Sequence, residues 1–544
     1  MKKMLLFTPV FLFLILNQFS LAQQNSGEPP VLPLKNSGSV LFGQDIVINN
    51  LPDQDQKNLA ICSAPNGWLY AAYTFDSIGH AYYSIMRSED NGLSWDFLVY
   101  KRPYLSKTSI KKLDIIAYGN SPSDQKVLIA WLMHYADAHM DYLSVHRYNA
   151  MPFLFDSAIF YIETISGHDM ALACDNNYPA LNATPNSIGI LYSKTGTKDS
   201  IVFLSSGDGG ITFNNRRVLA VTAKKFHKVA LSYGRSASMN TGRYFAAWEE
   251  QNDTASLLGH IYTSHSNPDF NSPFTTPIKL DGLDTSLLNL CRNPVISCQA
   301  NNADNDSTNL TEVILFEKFN TGTGDYDVCG FYNKKAASGN TFKGLKIAAS
   351  INNELQPDIR FNPYDSTFMV TYYDSTAQKL PLLKKNMNIA NPDTWEVVSP
   401  GYNDSNNLRY PNPKVNVNNG LNQAVTAWLT NQNTGKGSAL FDAAYFPPIG
   451  IVEHDLTDIV KLVSVFPNPC NDLVTIAFEL KNPSKVVITL SDLVGQRIGV
   501  IKNEDYPPGH YSVKYNVTGF QAGIYFCNIT TGNDSASGKI CVIR

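Results

Sequence analysis

The chain has 544 residues, 44% hydrophobic and 11% aromatic, with 28 Tyr and 28 Phe. That is apolar material for a large core, and it excludes a disordered chain. Only 17% of residues are charged and the formal net charge is −4, which excludes long charge-laced helices and a basic nucleic-acid footprint; no nucleic-acid partner is expected.

Residues 1–22 read as a signal peptide. Lys2 and Lys3 supply the positive start, an apolar run follows from Met4 to Leu16, and Ser20-Leu21-Ala22 places small residues before a cut at Gln23. The run is shorter than the ~20 apolar residues a membrane span needs. An exported chain with no membrane span after signal removal is expected. Its eight cysteines, at 62, 174, 291, 298, 329, 470, 527 and 541, are too sparse for a disulfide framework, and no bridge is assigned. Zinc-finger spacing, nucleotide loops and nucleophile elbows are all missing, so no cofactor and no metal are expected.

A repeat runs through the middle. A residue pair ending in an aromatic closes a β-type run at Ala72-Tyr73, Ala130-Trp131, Leu191-Tyr192, Ala247-Trp248, Leu315-Phe316, Thr371-Tyr372 and Ala427-Trp428. The aromatic positions are 58, 61, 56, 68, 56 and 56 residues apart, a period that suits four-stranded units. In the fifth unit, strands are predicted at 293–297, 312–316, 326–332 and 342–347, with Gly/Asn/Asp-rich breaks between them. The seventh unit lacks a fourth strand before Pro447, while Ser39 to Ile48 is β-rich with no unit of its own. Pairing that segment into the last unit would remove an exposed sheet edge. The expected fold is all-β: a seven-bladed β-propeller over residues 23–446 (six-bladed as the alternative), closed by the strand at 39–48.

Two turns share one pattern. Ser88-Glu89-Asp90-Asn91-Gly92-Leu93-Ser94-Trp95 and Ser206-Gly207-Asp208-Gly209-Gly210-Ile211-Thr212-Phe213 both fit S-x-D-x-G-x-[ST]-[WF]. The Asp accepts turn N–H groups, Gly takes a positive φ, and the aromatic packs beneath. The pattern resembles the Asp-box of sialidase-like (BNR-repeat) propellers. In that family it is structural, which implies a folding role for Ser88, Asp90, Gly92, Trp95, Ser206, Asp208, Gly210 and Phe213.

After a linker at 447–462 the texture changes. Alternating apolar runs at 473–478 and 486–490 read as half-buried strands of a small immunoglobulin-like β-sandwich. Its motifs include Pro467-Asn468-Pro469, Gly495, Gly509, Gly523 with Tyr525, and Lys539 in a terminal strand. Their order resembles the type A C-terminal sorting domain of type IX secretion, over residues 463–544. The resemblance implies recognition by the type IX secretion machinery, export across the outer membrane, and a cell-surface or extracellular location.

For chemistry, the segments after the repeating aromatics return to one face of the expected propeller. They present Asp76, His134, Tyr373 and Asp374, with Glu249 and Glu317 as carboxylate candidates. Arg292 and Arg409 begin expected inner strands in Arg-x-Pro triplets that resemble the arginine-bearing motif of sialidases. Asp137, His139 and Asp141 alternate but read as a solvated loop. The expected function is therefore binding of glycans or proteins by a surface propeller, with Asp76, His134 and Tyr373 as binding candidates. A sialidase-like glycoside hydrolase or lyase is the alternative, with Glu249, Glu317, Asp374, Arg292 and Arg409 as its candidates.

Overall fold

The structure, a computed structural model, describes residues 41–48, 54–174, 187–302, 310–445 and 460–543, less loop stretches of at most seven residues within those ranges. The signal segment 1–22, residues 39–40 and 44 of the closing strand, the bulk of the linker, Arg409 and Gly495 lie outside the described residues. Among the described residues every regular element is a β-strand. They fall into two compact units, one ending near Phe446 and one beginning after it.

The larger unit contains seven antiparallel meanders. The first is Gln56–Ser63, Leu69–Ser77, His80–Ser88 and Asp96–Lys101. The second is Thr108–Tyr118, Lys126–Tyr135, Met140–Ala150 and the leading part of Phe153–Cys174. That long strand continues into the third, beside Ile188–Thr195, Asp199–Ser206 and Asn215–Thr222. The fourth runs Lys225–Ser236, Arg243–Gln251, Gly259–His265 and Ile278–Lys279. Next come Cys291–Cys298, Glu312–Asn320, Asp325–Asn333 and Lys343–Ala348, close to the bounds predicted for the fifth unit. The sixth is Glu354–Asn362, Thr367–Asp374, Leu382–Lys385 and Glu396–Ser399.

The seventh meander has three strands of its own, Lys414–Asn418, Gln423–Asn431 and Gly437–Tyr445. Leu41–Phe42 and Ile46–Val47 supply its outer edge, with Phe42 opposite Ala444 and Ile46 opposite Phe441. The described part of the 39–48 segment thus covers the edge that the sequence left open.

The seven repeating aromatics all stand on second strands, and Trp131, Trp248 and Trp428 are fully buried. Second strands are apolar on both faces because each meander is covered by a neighbour on either side; Leu69–Ser77 is buried along its first seven residues, whereas the outer strand Asp96–Lys101 has no buried residue. Seven apolar clusters fill the seven boundaries between consecutive meanders. The last of these joins the seventh meander to the first, with Val425, Phe441 and Ala443 against Leu59, Tyr73 and Phe75. Phe42 and Ile48 from the leading segment enter the two clusters that flank the seventh meander. Each fully buried large side chain contributes about 1.5–3 kcal/mol.

The smaller unit holds two sheets around one core. Val460–Phe466, Leu473–Leu480 and Gly509–Asn516 form one; Arg497–Tyr506, Ser484–Ser491, Gly523–Thr531 and Asp534–Val542 form the other. Val460 already pairs with Leu480, which shortens the expected linker of 447–462.

The closing strand depends on a buried acid. Asp442 Oδ1 accepts the Gly43 N–H at 3.1 Å and the Ala443 N–H at 2.7 Å. Burial pushes the Asp442 carboxyl up to about 9, with the nearby Asp45 and Asp404 charges adding to the effect and the two N–H groups opposing it. A raised carboxyl contributes stability that is complete below the ordinary carboxylate range and is lost as pH rises towards 9. The melting temperature should therefore fall between about pH 4 and pH 9. In Asp442→Asn, whose amide oxygen still accepts both N–H groups, thermal melts across that range should show a flatter profile.

Candidate functional site

The first strand of every meander turns one edge toward a central cavity of about 430 Å³, lined by stretches of all seven. An edge strand leaves backbone N–H and C=O groups without ladder partners. Polar side chains within these strands meet that need across each boundary. Asn58 Nδ2 donates to the Ile110 carbonyl (3.0 Å), and Asp114 Oδ2 accepts the Leu172 N–H (3.0 Å). Asp169 Oδ2 accepts the Val229 N–H (3.2 Å), Ser232 Oγ that of Cys298 (3.1 Å), and Ser297 Oγ that of Phe361 (2.9 Å). Asp358 Oδ2 accepts the Val415 N–H (2.9 Å), and Asn416 Nδ2 donates to the Ile61 carbonyl (3.0 Å). The series starts in the first meander and returns to it.

A second regularity lies at the entry end of the first strands. Six of them carry one extra residue relative to the second strand, between Lys57 and Ala60, Ile110 and Lys112, Gly167 and Met170, Phe226 and Val229, Arg292 and Val295, and Leu355 and Asp358. Such bulges bend a strand and free backbone groups. Asn58, Asn293 and Gln356 take positive φ there.

Those freed groups account for the carboxylate candidates. Glu249 accepts the Asn293 N–H at 3.0 Å and the Gln251 amide at 2.5 Å. Glu317 accepts the Gln356 N–H (2.8 Å), Asn293 Nδ2 (2.8 Å) and Arg292 Nε (2.6 Å). Arg292 also lies over the Tyr326 ring, 3.8 Å from its centroid. Both glutamates are buried and brace the bulge of the following meander; burial pushes the Glu249 carboxyl up. Neither Glu249, Glu317 nor Arg292 lines the cavity.

The remaining candidates also stand apart from it. Asp374 caps its own turn through the Thr376 and Ala377 N–H groups and accepts Asn352 Nδ2 at 2.8 Å. Asp76 is exposed and pairs with Lys57 at 3.1 Å. Tyr373 is buried, its hydroxyl donating to the Leu408 carbonyl at 3.3 Å. His134 Nδ1 lies 2.7 Å from Asp141 Oδ1. Asp141 is a correction to the solvated-loop expectation: it is buried, with Lys111 Nζ at 2.6 Å and the Gly167 N–H at 2.8 Å.

Sequence reasoning missed what the cavity does contain. Lys112, Lys228, Lys414 and Arg360 line it together with Asp114, Asp169 and Asp358. Near its entry His168 and His227 stack, with ring centroids 4.7 Å apart, and burial holds both imidazoles below the usual range. The available signal was a charged residue inside an apolar run, as in Lys112-Leu113-Asp114-Ile115.

The two patterned turns are built alike. Ser88 Oγ donates to Asp90 and accepts the Gly92 N–H, while Asp90 accepts Ser94 N–H and hydroxyl. Ser206, Asp208, Gly210 and Thr212 repeat those bonds. At Gly92 (φ +97°) a Cβ would sit 2.0 Å from the Phe441 ring, and at Gly210 (φ +78°) 2.4 Å from Leu128. Each turn therefore presses on the preceding meander in the cyclic order, Trp95 meeting Phe441 at 5.2 Å while Phe213 is buried.

In the smaller unit, Asn468 clips the terminal strand by accepting the Cys541 N–H (2.7 Å) and donating to the Lys539 carbonyl (2.8 Å). Tyr525 donates to the Gln521 carbonyl at 2.9 Å, and Gly509 has φ +153°. Residues 464–543 match the family described as the secretion system C-terminal sorting domain. This segment is a type IX sorting domain. It marks the chain for recognition by the type IX machinery and for export across the outer membrane, to the cell surface or beyond.

No curated protein sequence matches the chain. Among solved structures, the α-L-arabinofuranosidase Arb93A of Fusarium graminearum aligns with 74% of this chain and 97% of its own, at 9% identity and TM-score 0.41. The polysaccharide lyase Uly1 aligns over 78% and 94% at 9% identity and TM-score 0.43. A protein of unknown function from Dyadobacter fermentans gives 76% and 100% at 11% and 0.41. None of these bears on the activity of this chain.

Removing the Glu317 brace should be costly. Glu317→Ala leaves Arg292, Asn293 and the Gln356 N–H without their acceptor, a loss of about 3–5 kcal/mol for a broken buried pair. Urea denaturation should show a lower midpoint, with Glu317→Gln intermediate.

Proposed function

We propose that this is an exported glycan- or protein-binding propeller. Residues 1–22 are its signal peptide, 23–446 a seven-bladed sialidase-like propeller, 447–459 a linker, and the remainder an immunoglobulin-like sorting domain. The seven boundary clusters and the return of the hydrogen-bond series to the first meander support seven blades. The paired turns at 88–95 and 206–213 support the Asp-box reading, and the outer strand at 41–47 supports closure by the leading segment.

One observation carries the binding reading. The acids Glu249, Glu317, Asp141 and Asp169 are each engaged with backbone N–H groups, while the axial cavity offers polar groups from all seven blades. Ligand pockets of about 300–1,000 Å³ are the common size, and this one falls in that range. Propellers host binding and catalysis alike, so the site and not the fold decides.

The alternative, a glycoside hydrolase or lyase, draws on the His134–Asp141 pair and the stacked His168 and His227. An imidazole oriented by a carboxylate is the arrangement a general base uses.

A glycan array probed with the mature chain, alongside a panel of chromogenic glycosides and unsaturated-product assays, separates the two. Binding without turnover is expected. Turnover that is abolished in His134→Ala would establish the enzyme instead.

A further inference from the structure

Three lysines enter the axial cavity from the first strands of the second, fourth and seventh meanders: Lys112, Lys228 and Lys414. Lys112 and Lys228 approach the same carboxylate, Asp169, from two sides, at 4.0 and 3.9 Å. Lys414 stands 3.7 Å from Asp358. These distances are ion-pair contacts outside hydrogen-bond reach. The carboxylates are instead held by backbone, Asp169 by the Val229 N–H and Asp358 by that of Val415.

The consequence is a set of cations with donors to spare. Each ammonium carries three N–H groups and no acceptor. With Arg360, four cationic side chains line the cavity against the three acids Asp114, Asp169 and Asp358. Asp169 and Asp358 each commit Oδ2 to fastening a neighbouring strand, which holds the carboxylate in place beside the lysines. The lysine side chains keep 31%, 46% and 21% of their surface exposed, so each is partly open to the cavity it lines. A neutral sugar offers such donors only the dipoles of its hydroxyls, whereas an anionic group adds the attraction of a full opposite charge.

We propose that the axial cavity binds the carboxylate or sulfate group of an acidic polysaccharide, with Lys112, Lys228 and Lys414 as its anion-recognising residues. This rests on the glycan-binding reading above and narrows its ligand class. Two residues before the cavity-lining Asn412, Tyr410 is 73% exposed with positive φ. It offers an aromatic face on which a sugar ring stacks.

Calorimetric titration of the mature chain tests this with four probes: polygalacturonate for carboxylate, chondroitin sulfate for both groups, a sulfated galactan for sulfate alone, and a neutral galactan. At least one acidic polymer should bind, with affinity falling as salt rises, and the comparison identifies which anion is read. Lys112→Gln with Lys228→Gln should weaken that binding by at least tenfold, as should Lys414→Gln alone by a smaller factor. Lys112→Arg with Lys228→Arg keeps the charge and should retain binding, which covers the case in which the Gln variants fail to fold.

Neutral galactan bound as tightly as the acidic polymers, with folded Gln variants unaffected, would overturn the anion site and leave glycan binding standing. No binding to any of the four would overturn both.

Discussion

The constraint behind the larger unit is that an exposed β-edge must find partners. Seven first strands face a common axis, and each turns one ladder edge away from its own meander. Buried N–H and C=O groups without partners cost about 1–3 kcal/mol each, and seven such edges would leave no stable fold. The chain answers with one side chain per boundary, from Asn58 through Asp114, Asp169, Ser232, Ser297 and Asp358 to Asn416. The same constraint acts at the outside, where Leu41–Phe42 and Ile46–Val47 cover the last edge.

That requirement explains why the unit is rich in buried acids. Three of the seven fastening groups are aspartates, and carboxylates accept N–H bonds well but bring charge into a low-dielectric interior. Lysines and one arginine follow to balance them. The cavity's charge is thus first a by-product of holding strands together. Its geometry, with lysine heads left just beyond bonding distance, is what makes it available for recognition. The bulges extend the same logic: freed N–H groups at the cavity entry are taken up by Glu249 and Glu317.

Much of this architecture is legible in the sequence because burial is periodic. Tyr73, Trp131 and Trp248 mark second strands, where both faces are covered and an aromatic always fits. The missing fourth strand before Pro447 and the orphan β-segment at 39–48 point to one another by simple counting. The S-x-D-x-G turns are readable since every bond they make is local. The Asn468 clip to the terminal strand was hidden in its pairing partner but not in its motif.

The site was far less legible. Glu249 and Glu317 stand where a catalytic acid would be sought, yet their partners, Asn293 and Gln356, lie about 40 residues onward in the next meander. One-residue bulges leave no pattern that a period of two detects, so the side-chain directions near Lys112, His168 and His227 were unreadable. Asp141 looked like loop because its anchors, Lys111 and Gly167, come from the first strands of its own meander and of the next.

The central claim is a closed ring of seven meanders sealed by the leading segment. Phe42 faces Ala444 across that seam, so Phe42→Cys with Ala444→Cys tests it directly. Mild oxidation of the folded double variant, read by peptide mass spectrometry, should give a 42–444 disulfide in most molecules together with a melting temperature above that of the same variant reduced. A folded variant in which the two thiols stay separate would contradict the closure.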